Sequence, residues 1–138
     1  MTFSPLLVNA AQVGGGLAQE GFRWRNDDGS ETTATWNAAQ DTGISLPLDT
    51  NIRLRLIINA ESIDPPPYKY RLEFRKPTDA NWAAVAAGSG TVRLAASANI
   101  TAGGQATTAQ LTAPAGKSGA DFITGRMWDD ENGVDSID

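Results

Sequence analysis

Two acidic clusters mark the places in this sequence where side-chain chemistry could gather: Asp27-Asp28 and Asp129-Asp130-Glu131. Neighbouring carboxylates can act as acid and base in glycosidic cleavage, their separation setting the stereochemical outcome. They can also share a calcium ion, which takes several oxygen ligands. The sequence context favours a third use, because Asn26-Asp27-Asp28-Gly29 is turn chemistry in which the aspartates serve the backbone. Nor does Asn26 to Glu31 fit the calcium loop of an EF-hand, which would need an acid where Trp24 stands and a Glu where Thr35 stands. Asp27, Asp28, Asp129 and Asp130 are therefore weak calcium candidates; the expectation is no metal, no cofactor and no catalytic residue.

Composition points the same way. Histidine is absent, which removes the side chain most used for proton transfer near neutral pH and the commonest transition-metal ligand. Cysteine is absent too, so stability must come from packing or from neighbouring subunits rather than from disulfides. No phosphate-binding loop, dinucleotide fingerprint or nucleophile elbow occurs. The chain is expected not to be an enzyme.

Charge is unevenly placed. Five of the sixteen acids lie in the last ten residues with no base among them, and the other acids match the eleven bases. Such a balance argues against binding to nucleic acid, which needs a basic surface. The N-terminus has no Lys or Arg before the short apolar run Leu6-Leu7-Val8, too short for a signal-peptide core, and nothing approaches the roughly 20 apolar residues of a membrane span. Synthesis in the cytoplasm, with no membrane partner, is the expectation.

Positioning falls to strands. Ile52, Leu54, Leu56 and Ile58 alternate with Arg53, Arg55, Ile57 and Asn59, a period of two that predicts a strand with one buried face. Tyr70, Leu72 and Phe74 alternate likewise with Arg71, Glu73 and Arg75, so Asp64-Pro65-Pro66-Pro67 reads as the stiff loop of a hairpin joining the two. Phe22 and Trp24 alternate with Arg23 and Arg25, and the turn at 26–29 leads into a β-prone run from Thr32 to Trp36, a second expected hairpin. Trp82 and Val85 are expected to return to the core. Thin strands are expected over Thr91–Ala95 and Thr107–Thr112, within a stretch rich in Ala, Gly, Ser and Thr. Gly14-Gly15-Gly16 detaches an apolar N-terminal segment, either an arm docking on a neighbour through Leu6, Leu7 and Val8 or a first edge strand.

If the strands are neighbours, Arg23, Arg25, Arg53, Arg55, Arg71 and Arg75 form an outward stripe. It serves either as a partner interface or as a solvated face with internal ion pairs. Trp36 and Trp128, beside polar turns, are the residues that could stack on a sugar, although a structural sandwich would bury them.

The run Glu20 to Trp36 (EGFRWRNDDGSETTATW) followed by Asn51 to Phe74 (NIRLRLIINAESIDPPPYKYRLEF) resembles a module of virion and tail-fibre-like proteins of phages and prophages. There an FRWRNDDGSE element opens a β domain, and an RLRxxIxN strand and a YRLEFR-type strand with a later Trp follow; the matching residues are Phe22–Glu31, Arg53–Asn59, Tyr70–Arg75 and Trp82. The resemblance weakens over Asn99–Pro114 and returns at Gly125–Asp138. It implies a virion-associated β structure and no activity. In that module a DSID-like sequence leads into further strands, so a chain stopping at Asp138 would leave a sheet edge open to pairing with another chain.

The expected architecture is all-β, an antiparallel sandwich, loosely immunoglobulin-like, with an extended N-terminal arm. Residues 1–19 form the arm or first edge strand, 20–128 the sandwich, and 129–138 an acidic tail or the lead-in to a further strand. The expected function is a non-enzymatic structural protein of a tailed-phage virion, a capsid decoration or other surface protein in contact with copies of itself and other virion proteins. The alternative is a carbohydrate-binding adsorption module of a tail fibre.

Overall fold

In a computed structural model of the chain, which describes residues 2–3, 16–61, 72–86, 88, 91–100, 106–108 and 111–112, the two segments with the clearest alternation become the two longest strands. They are β2 (Gly16–Asn26) and β4 (Ile52–Glu61), paired antiparallel with Phe22 opposite Leu56, Trp24 opposite Leu54 and Asn26 opposite Ile52. Side chains of directly opposed residues share a face. One face of the pair is therefore apolar, and the other carries Arg23 opposite Arg55 and Arg25 opposite Arg53.

The register slips once, between Gln19 and Gly21, leaving Glu20 as the extra residue of a bulge. Beyond the slip Ile57 stands opposite Gly21 and is buried. A Cβ at Gly21 would come within 3.1 Å of the Ile57 Cδ1 and 3.2 Å of the Asp41 Oδ1. A side chain at this position would require Ile57 or Asp41 to give way by a few tenths of an ångström.

The far edge of β2 is lined by residues 35–41. Asn26 donates to the Thr35 carbonyl at 2.9 Å, Asn37 donates to the Trp24 carbonyl at 3.1 Å, and Asp41 donates to the Phe22 carbonyl at 2.8 Å. Arg25 and Trp36 form an antiparallel bridge. The hairpin expected after the 26–29 turn is thus an irregular third rung. Trp36 falls on the arginine face, because bridge partners share a face.

Four short strands form two further pairs. β1 (Thr2–Phe3) pairs antiparallel with β3 (Ile44–Ser45), and β5 (Glu73–Phe74) with β6 (Ala83–Ala84). Val85 extends the second pair by donating to the Leu72 carbonyl at 2.8 Å. Among the described residues there is no helix and every named strand pairing is antiparallel, an all-β arrangement. None of them forms a helix able to cross a membrane.

Several expectations are corrected. Among the described residues β4 pairs with β2 and β5 with β6, so the expected hairpin of 51–59 with 68–75 is not found; residues 62–71, including its proline loop, lie outside the described residues. Alternation fixes which side chains share a face but is silent on which strand lies alongside. Glu73, expected opposite the buried face, is itself buried, with Phe74 half-buried. Val85 is in the core, whereas Trp82 is 37% exposed. Residues 91–95, 107–108 and 111–112 are not strands; the first stretch is tied by Leu94 donating to the Ala86 carbonyl at 3.1 Å. Of the N-terminal segment only Thr2–Phe3 is described before Gly16, and Leu6, Leu7 and Val8 lie outside the described residues.

The apolar core is thin. Phe22, Ala34, Ile44, Ile57 and Val85 are its buried members among the described residues, and no large side chain there is completely enclosed. Phe22 and Trp24 meet edge to face, ring centroids 6.3 Å apart. Replacing Ile57 by Ala is expected to lower stability by about 2 to 3 kcal/mol, the lower part of the usual range because the site lies at the margin of a small core. Urea denaturation measures it, and a loss under about 1 kcal/mol would contradict the packing of Ile57 over Gly21.

Candidate functional site

Like charges directly opposite one another destabilise an antiparallel pair, and β2 and β4 place arginine opposite arginine twice. The turn that follows β2 resolves the conflict. Ala34 and Thr33 donate to the Ser30 carbonyl at 3.0 and 3.3 Å, and the Thr33 hydroxyl accepts from the Ser30 amide at 2.9 Å. A Cβ on Gly29 would lie 2.7 Å from the Thr33 Oγ1 and 3.1 Å from the Ala34 nitrogen. Asp28 braces the turn, its carboxylate accepting from the Thr35 amide at 2.9 Å and the Thr35 hydroxyl at 2.5 Å. Folded this way, the turn sets Asp27 and Glu31 over the arginine face.

Glu31 is the hub. Its Oε2 takes Arg25 Nη1 at 3.2 Å, and its Oε1 takes Arg55 Nη2 at 2.5 Å. The same Oε1 accepts from both the backbone amide and the hydroxyl of Thr108, each at 2.9 Å. Arg25 also gives Nε and Nη2 to the Ala34 carbonyl at 3.0 and 2.8 Å, and Arg55 gives Nη1 to the Thr108 carbonyl at 2.9 Å. One carboxylate thus holds an arginine from each strand and a residue 77 positions away.

Asp27 is the second hub. Its Oδ1 accepts from Arg53 Nε and Nη2 at 2.9 and 2.5 Å and from the Ser97 hydroxyl at 2.6 Å. Asn99 Nδ2 donates to the Asp27 carbonyl at 3.0 Å, and Arg53 Nη2 also reaches the Gly29 carbonyl at 2.6 Å. Arg23 gives Nε to the Ala38 carbonyl at 2.9 Å. The Cζ atoms of Arg23, Arg25 and Arg55 lie 4.2, 4.9 and 5.9 Å from the centroid of the Trp36 ring. Each close guanidinium over an indole is worth roughly 0.5 to 2 kcal/mol, more as water is excluded.

The cluster is shut away from solvent. Side chains of Arg25 and Glu31 are 3% exposed, those of Arg53 and Asp27 10%. Burial pushes the Glu31 carboxyl up, but hydrogen bonds from Arg55 and Thr108 and the charge of Arg55 outweigh it and hold Glu31 below the usual carboxylate range. Burial raises Asp27 too, and is outweighed by the hydrogen bonds from Ser97, Arg53 and Asn99 and by the Arg53 charge. Hydrogen bonds from Thr35 lower Asp28. For Arg25, burial and the neighbouring Arg55 and Arg53 lower its pKa against the pull of Glu31 and Asp28, while the guanidinium stays charged. Two buried donors, Trp24 Nε1 and Arg53 Nη1, have no acceptor among the described residues, each at a cost of about 1 to 3 kcal/mol.

Set against the sequence, the outward arginine stripe is corrected for Arg25, Arg53 and Arg55, which are held inward by the turn and by Ser97 and Thr108. Arg23 is half-buried beside Trp36. Arg75 is exposed and elsewhere, 5.0 Å from the Trp82 ring, and Arg71 is outside the described residues. Of the calcium candidates, Asp27 and Asp28 are taken up by arginine, hydroxyl and amide donors, and no group of three or more metal-ligating side chains occurs among the described residues; Asp129 and Asp130 lie outside them. Trp36 is half-buried among arginines, and Trp128 is outside the described residues. Sequence reasoning missed Glu31 and its Thr108 contact. The arginine register called for an acid nearby, whereas Thr108, in a small-residue stretch, gave no signal.

Compared with protein-family models, with curated proteins and with solved structures, the chain matches none.

Glu31→Gln leaves two buried arginines short of charge and is expected to cost about 3 kcal/mol or more, measured by chemical denaturation at pH 7. A cost under about 1 kcal/mol would mean the pair is worth no more than an exposed one. Because Asp27 and Glu31 have folded pKa values below their ordinary ones, the stability they confer is complete above the unfolded carboxylate range. It is lost as pH falls through the folded values. Denaturation midpoints followed from pH 7 down to about 2.5 should therefore decline below about pH 4.5, and Asp27→Asn should flatten the decline.

Proposed function

We propose that this chain is a non-enzymatic structural module of a tailed-phage virion, an antiparallel β-sandwich of loosely immunoglobulin-like form. It serves as a capsid decoration or other surface protein through contacts with copies of itself and with neighbouring virion proteins. The resemblance of the FRWRNDDGSE element and the two alternating strands supports the virion setting. The observation that carries the structural role is the use made of the acids: Asp27, Asp28 and Glu31 are committed to holding the arginines and the turn. A carboxylate pair committed in this way, with folded pKa values below the ordinary range, is ill suited to deliver or take protons near neutral pH.

Half-exposed Ile52, Trp24, Leu54 and Leu56 on the opposite face, with Leu48 84% exposed on the loop before β4, supply apolar surface of the kind subunit contacts use. Many copies on a lattice would make weak contacts sufficient through avidity. Against the glycan-binding alternative, Trp36 has Arg23 stacked 4.2 Å from its ring centroid, where a sugar platform would keep a face open.

Cryo-electron microscopy of particles purified with this chain is the test. Ordered, symmetry-related copies touching other subunits are expected. Absence from the particles, or a projecting monomer whose polysaccharide binding is lost in Trp36→Ala, would replace the structural role with another.

A further inference from the structure

Residues after β6 reach the β2–β4 pair by an unusual route. Ser97 and Asn99 attach to Asp27, and Thr108 attaches to Glu31. The remaining described ties are polar as well: Asn51 Nδ2 to the Ala96 carbonyl at 3.4 Å, Arg55 to the Thr108 carbonyl, and the Gln40 side chain with Thr112 at 2.9 and 3.5 Å. Ala96, Ala98, Asn99 and Ala106 are exposed, and Ile100, Thr107 and Leu111 only half-buried. Among the described residues, little apolar burial holds these anchors down. The β2–β4 pair, by contrast, has a long backbone ladder and the buried Phe22 and Ile57.

We propose that Asp27 and Glu31 form an acid-released latch, which holds the 97–99 and 108 anchors over the arginine face while both carboxylates are charged and frees them before the β2–β4 pair opens. A protonated carboxyl accepts fewer hydrogen bonds and no longer balances its arginine. Around Asp27 the charged groups are Arg53 from β4 and Asp28 from the turn. Around Glu31 they are Arg25 from β2 and Arg55 from β4. Ser97, Asn99 and Thr108 bring no charge of their own, so the ionic contributions to the latch seen among the described residues come from the sheet and the turn. On protonation the arginines are left facing one another and the anchors lose their strongest acceptors. What opens is a face with four arginines, Arg23, Arg25, Arg53 and Arg55, which a partner's carboxylates could then pair with.

Hydrogen exchange of the full chain, read by mass spectrometry on peptides, tests this, with labelling times scaled to the intrinsic exchange rate at each pH. As pH falls through the carboxylate range, peptides covering 97–99 and 106–108 should lose protection by at least about tenfold while those covering 22–26 and 52–57 keep theirs. Loss of both sets at one pH would reduce the latch to ordinary acid unfolding and overturn it. Glu31→Gln destabilises the fold as a whole, so the deciding variant is Ser97→Ala with Asn99→Ala, which removes these anchors and leaves every arginine and acid in place. With these ties gone, the 97–99 peptide should already lack its protection at pH 7, with β2–β4 protection unchanged. A 97–99 peptide still protected at pH 7 and released at the original pH would overturn the latch.

Discussion

Arginine opposite arginine, twice, on one antiparallel pair is the constraint on which the described structure rests. Arg23 with Arg55 and Arg25 with Arg53 would repel in the ladder that joins β2 to β4, and the cost grows as water is removed. Two carboxylates arriving from the turn after β2 convert this repulsion into cohesion. Glu31 joins one arginine of each strand and Asp27 grips a third, so the carboxylates tie the turn to both strands. A buried ion pair is often no better than an apolar contact of the same volume, but removing one partner is costly. The cluster thus specifies one arrangement more than it adds stability, which fits the small enclosed apolar core among the described residues.

The turn has to be rigid for this to work, and its chemistry is organised accordingly. Gly29 admits Thr33 and Ala34 at distances no side chain would permit. Asp28 and Thr35 close the neck of the turn, and Asn26 Nδ2 and Oδ1 bond Thr35 and Asn37 across it at 2.9 and 2.8 Å. Residues read as simple solvated turn formers therefore have a second task. They aim the neighbouring acids inward, and the line between loop chemistry and core packing disappears at this place.

That double use explains what the sequence did and did not disclose. Alternation exposed β2 and β4 and grouped the residues that share a face, because a strand repeats every two residues, but it misjudged which face is the more deeply buried: Ile57 and Arg25 are buried on the arginine side, whereas Ile52, Leu54, Leu56 and Ile58 are half-buried. It could not disclose their pairing. Asn51–Asn59 looked like the partner of Tyr68–Arg75 because the two are close in sequence, yet β4 lies along β2, some thirty residues earlier. Nor could it disclose that a charged face points inward, since Arg53 and Arg55 read the same whether water or a covering turn lies above them. Glu73 misled for the same reason: a carboxylate is assigned outward by default, and here it is buried. Ser97, Asn99 and Thr108 carried no pattern at all, being small polar residues whose meaning is fixed by partners more than sixty positions away.

Function follows from where the polar groups are spent. A catalytic carboxylate needs a proton to exchange and a path to substrate, and those of Asp27 and Glu31 are surrounded by donors that keep them ionised. A structural carboxylate needs the opposite, a fixed geometry and a partner that never titrates, and arginine supplies both. With Asp27, Glu31 and their arginines turned inward, the described surface offers a partner the half-buried apolar face of Ile52, Trp24, Leu54 and Leu56. Assembly through such a surface is the proposal these residues support, with repetition across many copies making weak individual contacts sufficient.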